Sequence, residues 1–176
     1  MLIAILGGVV GVIVVFLIVV AMQPSAFRVS RSTTINAPPG AVFGHVNELR
    51  KWRAWSPWEK MDPSMKQTYD GPAAGVGSCT HWIGNKQVGE GRMTIVESKP
   101  GELVRIRLEF LKPFKATNMA EFTFTPRGGQ TAIEWAMTGE KNFIFKAFCM
   151  FMNMDKMVGK DFEKGLAAMK AEVEKG

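Results

Sequence analysis

His45, His81, Cys79 and Cys149 are the side chains of this sequence best suited to nucleophilic, acid–base or metal chemistry. Neither histidine has a Cys, Asp or Glu at metal-ligand spacing, so no metal site is assigned. Cys79 and His81 are two positions apart on an expected strand and so share a face, yet neither cysteine has a visible base or redox partner. No nucleophile elbow, phosphate-binding glycine loop or dinucleotide fingerprint occurs, and the glycines from Gly84 to Gly91 read as a hairpin. No catalytic residue and no cofactor is therefore assigned. An enzyme built on this chain would need a polar group inside an apolar pocket, with His81 the first candidate base and Tyr69 or Glu134 behind it.

The elements that must position these groups follow from hydrophobic periodicity. Phe27 to Ile35 alternates as a strand, and Asn36-Ala-Pro-Pro-Gly breaks it. Val42, Phe43 and Val46 then share one face of a short helix over Ala41 to Leu49. Trp52 to Pro63 is aromatic and proline-rich without a period. Six strands follow, over Met65–Tyr69, Ser78–Ile83, Val88–Glu97, Leu103–Phe110, Ala116–Thr125 and Thr131–Thr138, with short Gly- and Pro-containing breaks that favour antiparallel pairing. From Phe143 the period changes. Phe151, Met154, Val158, Phe162, Leu166, Met169 and Val173 form the apolar stripe of a long helix, and Lys156, Lys160, Lys164 and Lys170 lie off it. Asp161 and Glu163 are expected to pair with Lys160 and Lys164 on that helix's outer face. One wetted and one apolar sheet face, with one amphipathic helix, makes an α+β fold with the helix in the concave side of a curved antiparallel sheet.

Ahead of this lies an unbroken apolar run from Leu2 to Met22, with no charged side chain before Arg28. As a helix, 21 residues span roughly 31 Å, about the thickness of a hydrocarbon layer. The sequence thus predicts a single transmembrane helix, with residues 1–27 as a membrane anchor and 28–176 as the folded domain. Arg28, Arg31, Arg50, Lys51 and Arg53 follow the run, a bias that places the domain on the cytoplasmic side. The two cysteines lack framework spacing and fit reduced thiols. The net charge of +6 is scattered along the domain rather than gathered into a stripe, so nucleic acid is not an expected partner.

The order of one strand, short helices, six strands and a closing helix resembles the START/Bet v 1-like helix-grip fold. The passages Arg31-Ser-Thr-Thr-Ile-Asn-Ala-Pro-Pro-Gly-Ala-Val-Phe, Trp52-Arg-Ala-Trp-Ser-Pro-Trp-Glu-Lys-Met-Asp-Pro, Tyr69-Asp-Gly-Pro, Gly84-Asn-Lys-Gln-Val-Gly-Glu-Gly and Met154-Asp-Lys-Met-Val-Gly-Lys-Asp-Phe-Glu-Lys-Gly-Leu are similar to the SRPBCC, or polyketide cyclase/dehydrase, family. The resemblance implies a hydrophobic cavity between sheet and final helix, used in that family for lipids, steroids or polyketide-like molecules. Trp52, Trp55, Trp82, Phe110, Phe122, Trp135, Met154 and Val158 are the residues expected to line it and bind ligand. The expected function is a membrane-anchored binding or carrier module for a small hydrophobic molecule or lipid. A cyclase- or dehydratase-type enzyme on a lipophilic substrate is the alternative, and an adaptor with an unidentified protein partner a third reading.

Overall fold

A computed structural model describes residues 2–175, with side chains placed from residue 6 onward. Its core is one seven-stranded sheet in the order β1-β7-β6-β5-β4-β3-β2, antiparallel throughout. The strands are β1 (Ala26–Ile35), β2 (Lys66–Asp70), β3 (Cys79–Ile83), β4 (Glu90–Lys99), β5 (Leu103–Lys112), β6 (Ala116–Arg127) and β7 (Gln130–Glu140). The register of β4 slips at Glu90/Gly91 and again between Ile95 and Glu97. Such irregularities bend a strand and let the sheet curl. The buried alternation of β6, at Asn118, Ala120, Phe122 and Phe124, turns inward as the sequence pattern requires.

The closing helix, α6 (Met154–Val173), lies in the concavity. Phe162, Leu166 and Met169 are buried, and Met154 and Val158 pack partly buried against the same core. Phe162 stacks on Trp135 with ring centroids 4.1 Å apart and planes 8° from parallel. Gly165 permits this approach, because a Cβ there would stand 2.8 Å from the Trp135 ring and 3.2 Å from Pro57. The apolar stripe does not run unbroken from Phe143 as the sequence suggested. α5 (Phe143–Cys149) is capped by the Asn142 side chain, which accepts from the Phe145 amide. After a break, the Asn153 side chain accepts from the Lys156 amide and starts α6. Phe151 falls in the break and is exposed.

The aromatic segment that showed no period folds into two helical turns, α3 (Trp52–Trp55) and α4 (Pro57–Met61), following α2 (Pro39–Asn47) and a tight turn over Leu49–Lys51. Pro57 stands at the first position of α4, where its missing N–H costs nothing. Asp62 ends α4 and is buried. Its Oδ1 accepts from the Ser64 hydroxyl at 2.6 Å and the Ser64 amide at 3.1 Å, and its Oδ2 accepts from the Asn85 amide at 2.7 Å. One carboxylate thus ties the end of α4 to the β3–β4 turn.

The N-terminal expectation is corrected. The apolar run forms a helix, α1 (Leu2–Met22), but among the described residues no helix is long and apolar enough to cross a membrane. α1 instead rests on α5: Val20 is fully buried, Phe16 stacks 6.2 Å from Phe151, and the Lys146 ammonium donates to the Ala21 carbonyl at 3.5 Å. Its other faces carry exposed Val, Leu and Ile side chains. The transmembrane anchor, the single-pass membrane localisation with a cytoplasmic domain, and the partnership with membrane through residues 2–22 are therefore withdrawn.

Two outcomes test this architecture. Phe162→Asp places an unpaired carboxylate against Trp135 and should destabilise the domain by about 3 kcal/mol or more, read from urea unfolding. The hydrogen bonds from Ser64 and the Asn85 amide hold the Asp62 carboxyl below the usual Asp range against the opposing effect of burial. The stability this confers is complete above the unfolded-state value of about 3.9 and is lost as pH falls through the lower folded value. The Arg31 guanidinium lowers the Asp155 carboxyl in the same sense. Urea midpoints should fall on acidification below about pH 4, and Asp62→Asn should remove only part of that slope.

Candidate functional site

The sheet and α6 part company at one end of the concavity and leave a cavity of about 220 Å³. Its floor is apolar and comes from successive strands: Trp82 of β3, Met93 of β4, Ile106, Leu108 and Phe110 of β5, Ala120 of β6, and Trp135 and Met137 of β7. Val158 and Phe162 of α6 form one wall, and Trp52 and Trp58 of the short helices form another. Trp82 lies across Gly91, its partner on the next strand, and meets Phe110 edge-on with centroids 6.0 Å apart. Any side chain at position 91 would occupy the indole's place, so this glycine sets the shape of the floor.

The indoles divide by hydrogen bonding. Trp52 donates to the Val46 carbonyl at 3.0 Å, Trp55 to the His45 carbonyl at 3.1 Å, and Trp82 to the Val88 carbonyl at 3.4 Å. The Trp135 N–H is buried and has no partner among the described residues. A buried donor left unpaired costs about 1–3 kcal/mol, a cost that the aromatic packing around this indole offsets.

Five polar side chains complete the lining: Ser56, Glu59, Gln67, Gln87 and Asp161. Glu59 is held in place by the Gln67 amide, which donates to its Oε1 at 2.5 Å. The Tyr69 hydroxyl donates in turn to Gln67 Oε1 at 2.6 Å, and the Arg50 guanidinium lies 4.3 Å over the Tyr69 ring. Burial, then the Glu59 charge, pushes the Tyr69 phenol above its ordinary value. These contacts fix the Glu59 carboxylate as part of a preorganised polar wall.

Of the eight residues expected to line a ligand site, Trp52, Trp82, Phe110, Trp135 and Val158 do line the cavity. Trp55 and Phe122 lie behind it, packed edge-on at 6.2 Å in the aromatic core, and Met154 packs at the start of α6 without reaching the lining. None of the three residues named for acid–base work lines it. His81 is on the outer sheet face, 3.7 Å from Glu90, which Lys112 holds below the usual Glu range at 2.7 Å. Cys79 shares that outer face and accepts a 3.4 Å contact from the Thr94 hydroxyl. Glu134 pairs with Arg28 at 2.9 Å in solvent, and Tyr69 stands behind Gln67.

Of the ionisable groups that do reach the cavity, Asp161 was expected only on the outer face of α6 and Glu59 was not singled out in the sequence. Asp161 keeps its outer partner, Lys164 at 3.1 Å, while also facing the cavity wall. Its signal was its position three residues after Val158 and one before Phe162, at the border of the apolar stripe. Glu59 had only its neighbour Trp58 to mark it. Among the described residues no three His, Cys, Asp or Glu side chains gather as metal ligands.

No curated protein matches the chain. Solved structures of similar shape include a protein of Staphylococcus aureus of unknown function, with TM-score 0.63 and 14% identity over 87% of this chain and 96% of that one. A Rhizobium loti protein gives TM-score 0.61 at 15% identity, covering 85% and 99% of the two chains. A Thermus thermophilus protein gives 0.59 at 16% identity, covering 84% and 97%. At such identities the likeness establishes the fold alone, a curved antiparallel sheet gripping its C-terminal helix. The sequence match over residues 26–174 takes in every strand, the cavity and α6, and the chain therefore belongs to the family described as polyketide cyclase/dehydrase and lipid transport, within the START/Bet v 1-like helix-grip group.

Proposed function

We propose that this chain binds a small, largely apolar molecule in the cavity between the sheet and α6. The observation that carries the reading is a largely apolar cavity between sheet and helix, walled by Trp52, Trp58, Trp82 and Trp135 and carrying only a few polar side chains. A volume of 220 Å³ falls below the ~300–1,000 Å³ of drug-sized sites. A compact one- or two-ring molecule fits that space better than a whole phospholipid.

A cyclase- or dehydratase-type activity on a lipophilic substrate is the second reading. Its support is specific: two carboxylates, Glu59 and Asp161, line an otherwise apolar cavity and could accept a proton from bound substrate. The family's description includes both kinds of function. Under this reading Glu59→Gln should abolish turnover while leaving ligand binding in place.

The binding reading is tested with 2-acetonaphthone, a neutral two-ring ketone. Saturable binding should move the indole N–H resonance of Trp135 in a ¹⁵N-labelled sample and leave those of Trp52 and Trp55 little changed. Trp135→Phe, which keeps an aromatic ring in the stack but removes part of the apolar lining, should weaken binding about threefold to tenfold. Absence of saturable binding by this ketone and by other neutral two-ring probes would overturn the proposal.

A further inference from the structure

We infer that the cavity selects neutral and cationic lipophiles and rejects the corresponding carboxylates. The inference rests on the binding role proposed above and specifies the ligand's charge. The chain as a whole is cationic at +6, so a lipophilic acid would seem its natural partner. The cations, however, are spent elsewhere. Arg105 lies between Glu97 and Glu121 at 2.6 Å from each, Arg92 pairs with Glu109 at 2.8 Å, and Lys112 pairs with Glu90 at 2.7 Å, all on the outer sheet face. Arg31 is held by Asp155 and Glu163 at 3.0 and 2.7 Å.

Inside, the only ionisable lining residues are Glu59 and Asp161, and no Lys, Arg or His lines the cavity among the described residues. The Glu59 side chain is 13% exposed and that of Asp161 25%. Their nearest cations approach from solvent: Arg53 is 4.0 Å from Glu59, Lys164 is 3.1 Å from Asp161, and each of these basic side chains is 66% exposed. Water and salt screen such exposed charges, whereas the carboxylates sit against apolar walls where their field is stronger. A ligand carboxylate would face two like charges with no cation to meet it. A hydroxyl or ammonium would find two acceptors instead. The wall thus offers acceptors to a ligand's donor and no cation to a ligand's acid.

The test uses three probes of one shape, 2-naphthylmethylamine, 2-naphthylmethanol and 2-naphthoate, titrated into the full chain at pH 7 and followed by fluorescence. The amine and the alcohol should bind saturably, and the naphthoate at least about tenfold more weakly than the alcohol, as a like charge at an effective dielectric near 20 produces. Glu59→Gln with Asp161→Asn, checked for an unchanged urea midpoint, should bring the naphthoate to within about threefold of the alcohol. Naphthoate binding as tightly as the alcohol in the unmodified chain would overturn the inference and leave the binding role standing. An unchanged ratio in the folded double variant would also overturn it. If none of the three probes binds, the binding role itself falls. The comparison in the unmodified chain decides the charge preference even where a variant fails to fold.

Discussion

The stack of Trp135 between Phe162 and Phe122 is the interaction on which the rest of this domain depends. Phe162 lies 4.1 Å from the indole on the helix side and Phe122 4.9 Å on the sheet side, so one side chain of β7 joins both layers. Trp52, Trp55 and Trp58 meet the same indole edge-on at 6.1, 5.6 and 5.7 Å. Each such pair adds about 0.5–1.5 kcal/mol beyond the area it buries. The stack also sets a distance. α6 is held close to the sheet here, with Gly165 clearing the way, and the cavity lies beside Phe162 and Val158. Grip and cavity meet at one contact.

Charge is segregated around that core. On the outer face, alternate residues of β3, β4, β5 and β6 form cross-strand pairs: His81 with Glu90, Arg92 with Glu109, and Arg105 with Glu97 and Glu121. Pairs of this kind in solvent contribute little each, but they occupy the cations and leave the inner face to apolar side chains. Two carboxylates depart from this separation. Glu59 is held by Gln67 and Asp161 stands at the edge of the helix stripe. Both sit at the cavity wall, the place where a polar group can face the interior and still be reached by Arg53 or Lys164 from outside.

Much of the fold was legible because alternation and helical period are local properties. The inward set of β6, the stripe of α6 and the succession of seven strands along the chain all follow from spacing of two or of three to four residues. What failed needed information outside the local window. Trp52 to Pro63 has no period because it is two single turns, each too short to show one. The break at residues 150–153 depended on a second Asn cap within an apolar stretch. The run at the N-terminus is helical as its composition required, but its apolar character did not reveal that α5 and the break after it pack against α1, with Phe151 stacking on Phe16. The transmembrane reading converted run length into an environment without that contact.

The candidate site shows the same division between residue type and placement. His81 was prominent because imidazole is versatile, yet strand parity alone decided its position. Trp82 is buried on the inner face, so its neighbour His81 turns outward toward Glu90 and Lys112. The reverse holds for Glu59. Its residue type is ordinary for a surface, and only the two-turn arrangement of α3 and α4, tied down by Asp62 to the β3–β4 turn, carries it over the end of the sheet to Gln67. Trp135 combines both lessons. Its size marked it as core, its register opposite Phe122 fixed the stack, and the want of an acceptor around its N–H depends on every neighbouring element at once. A sequence supplies the donors and acceptors, but which of them remains unmatched is a property of the assembled fold.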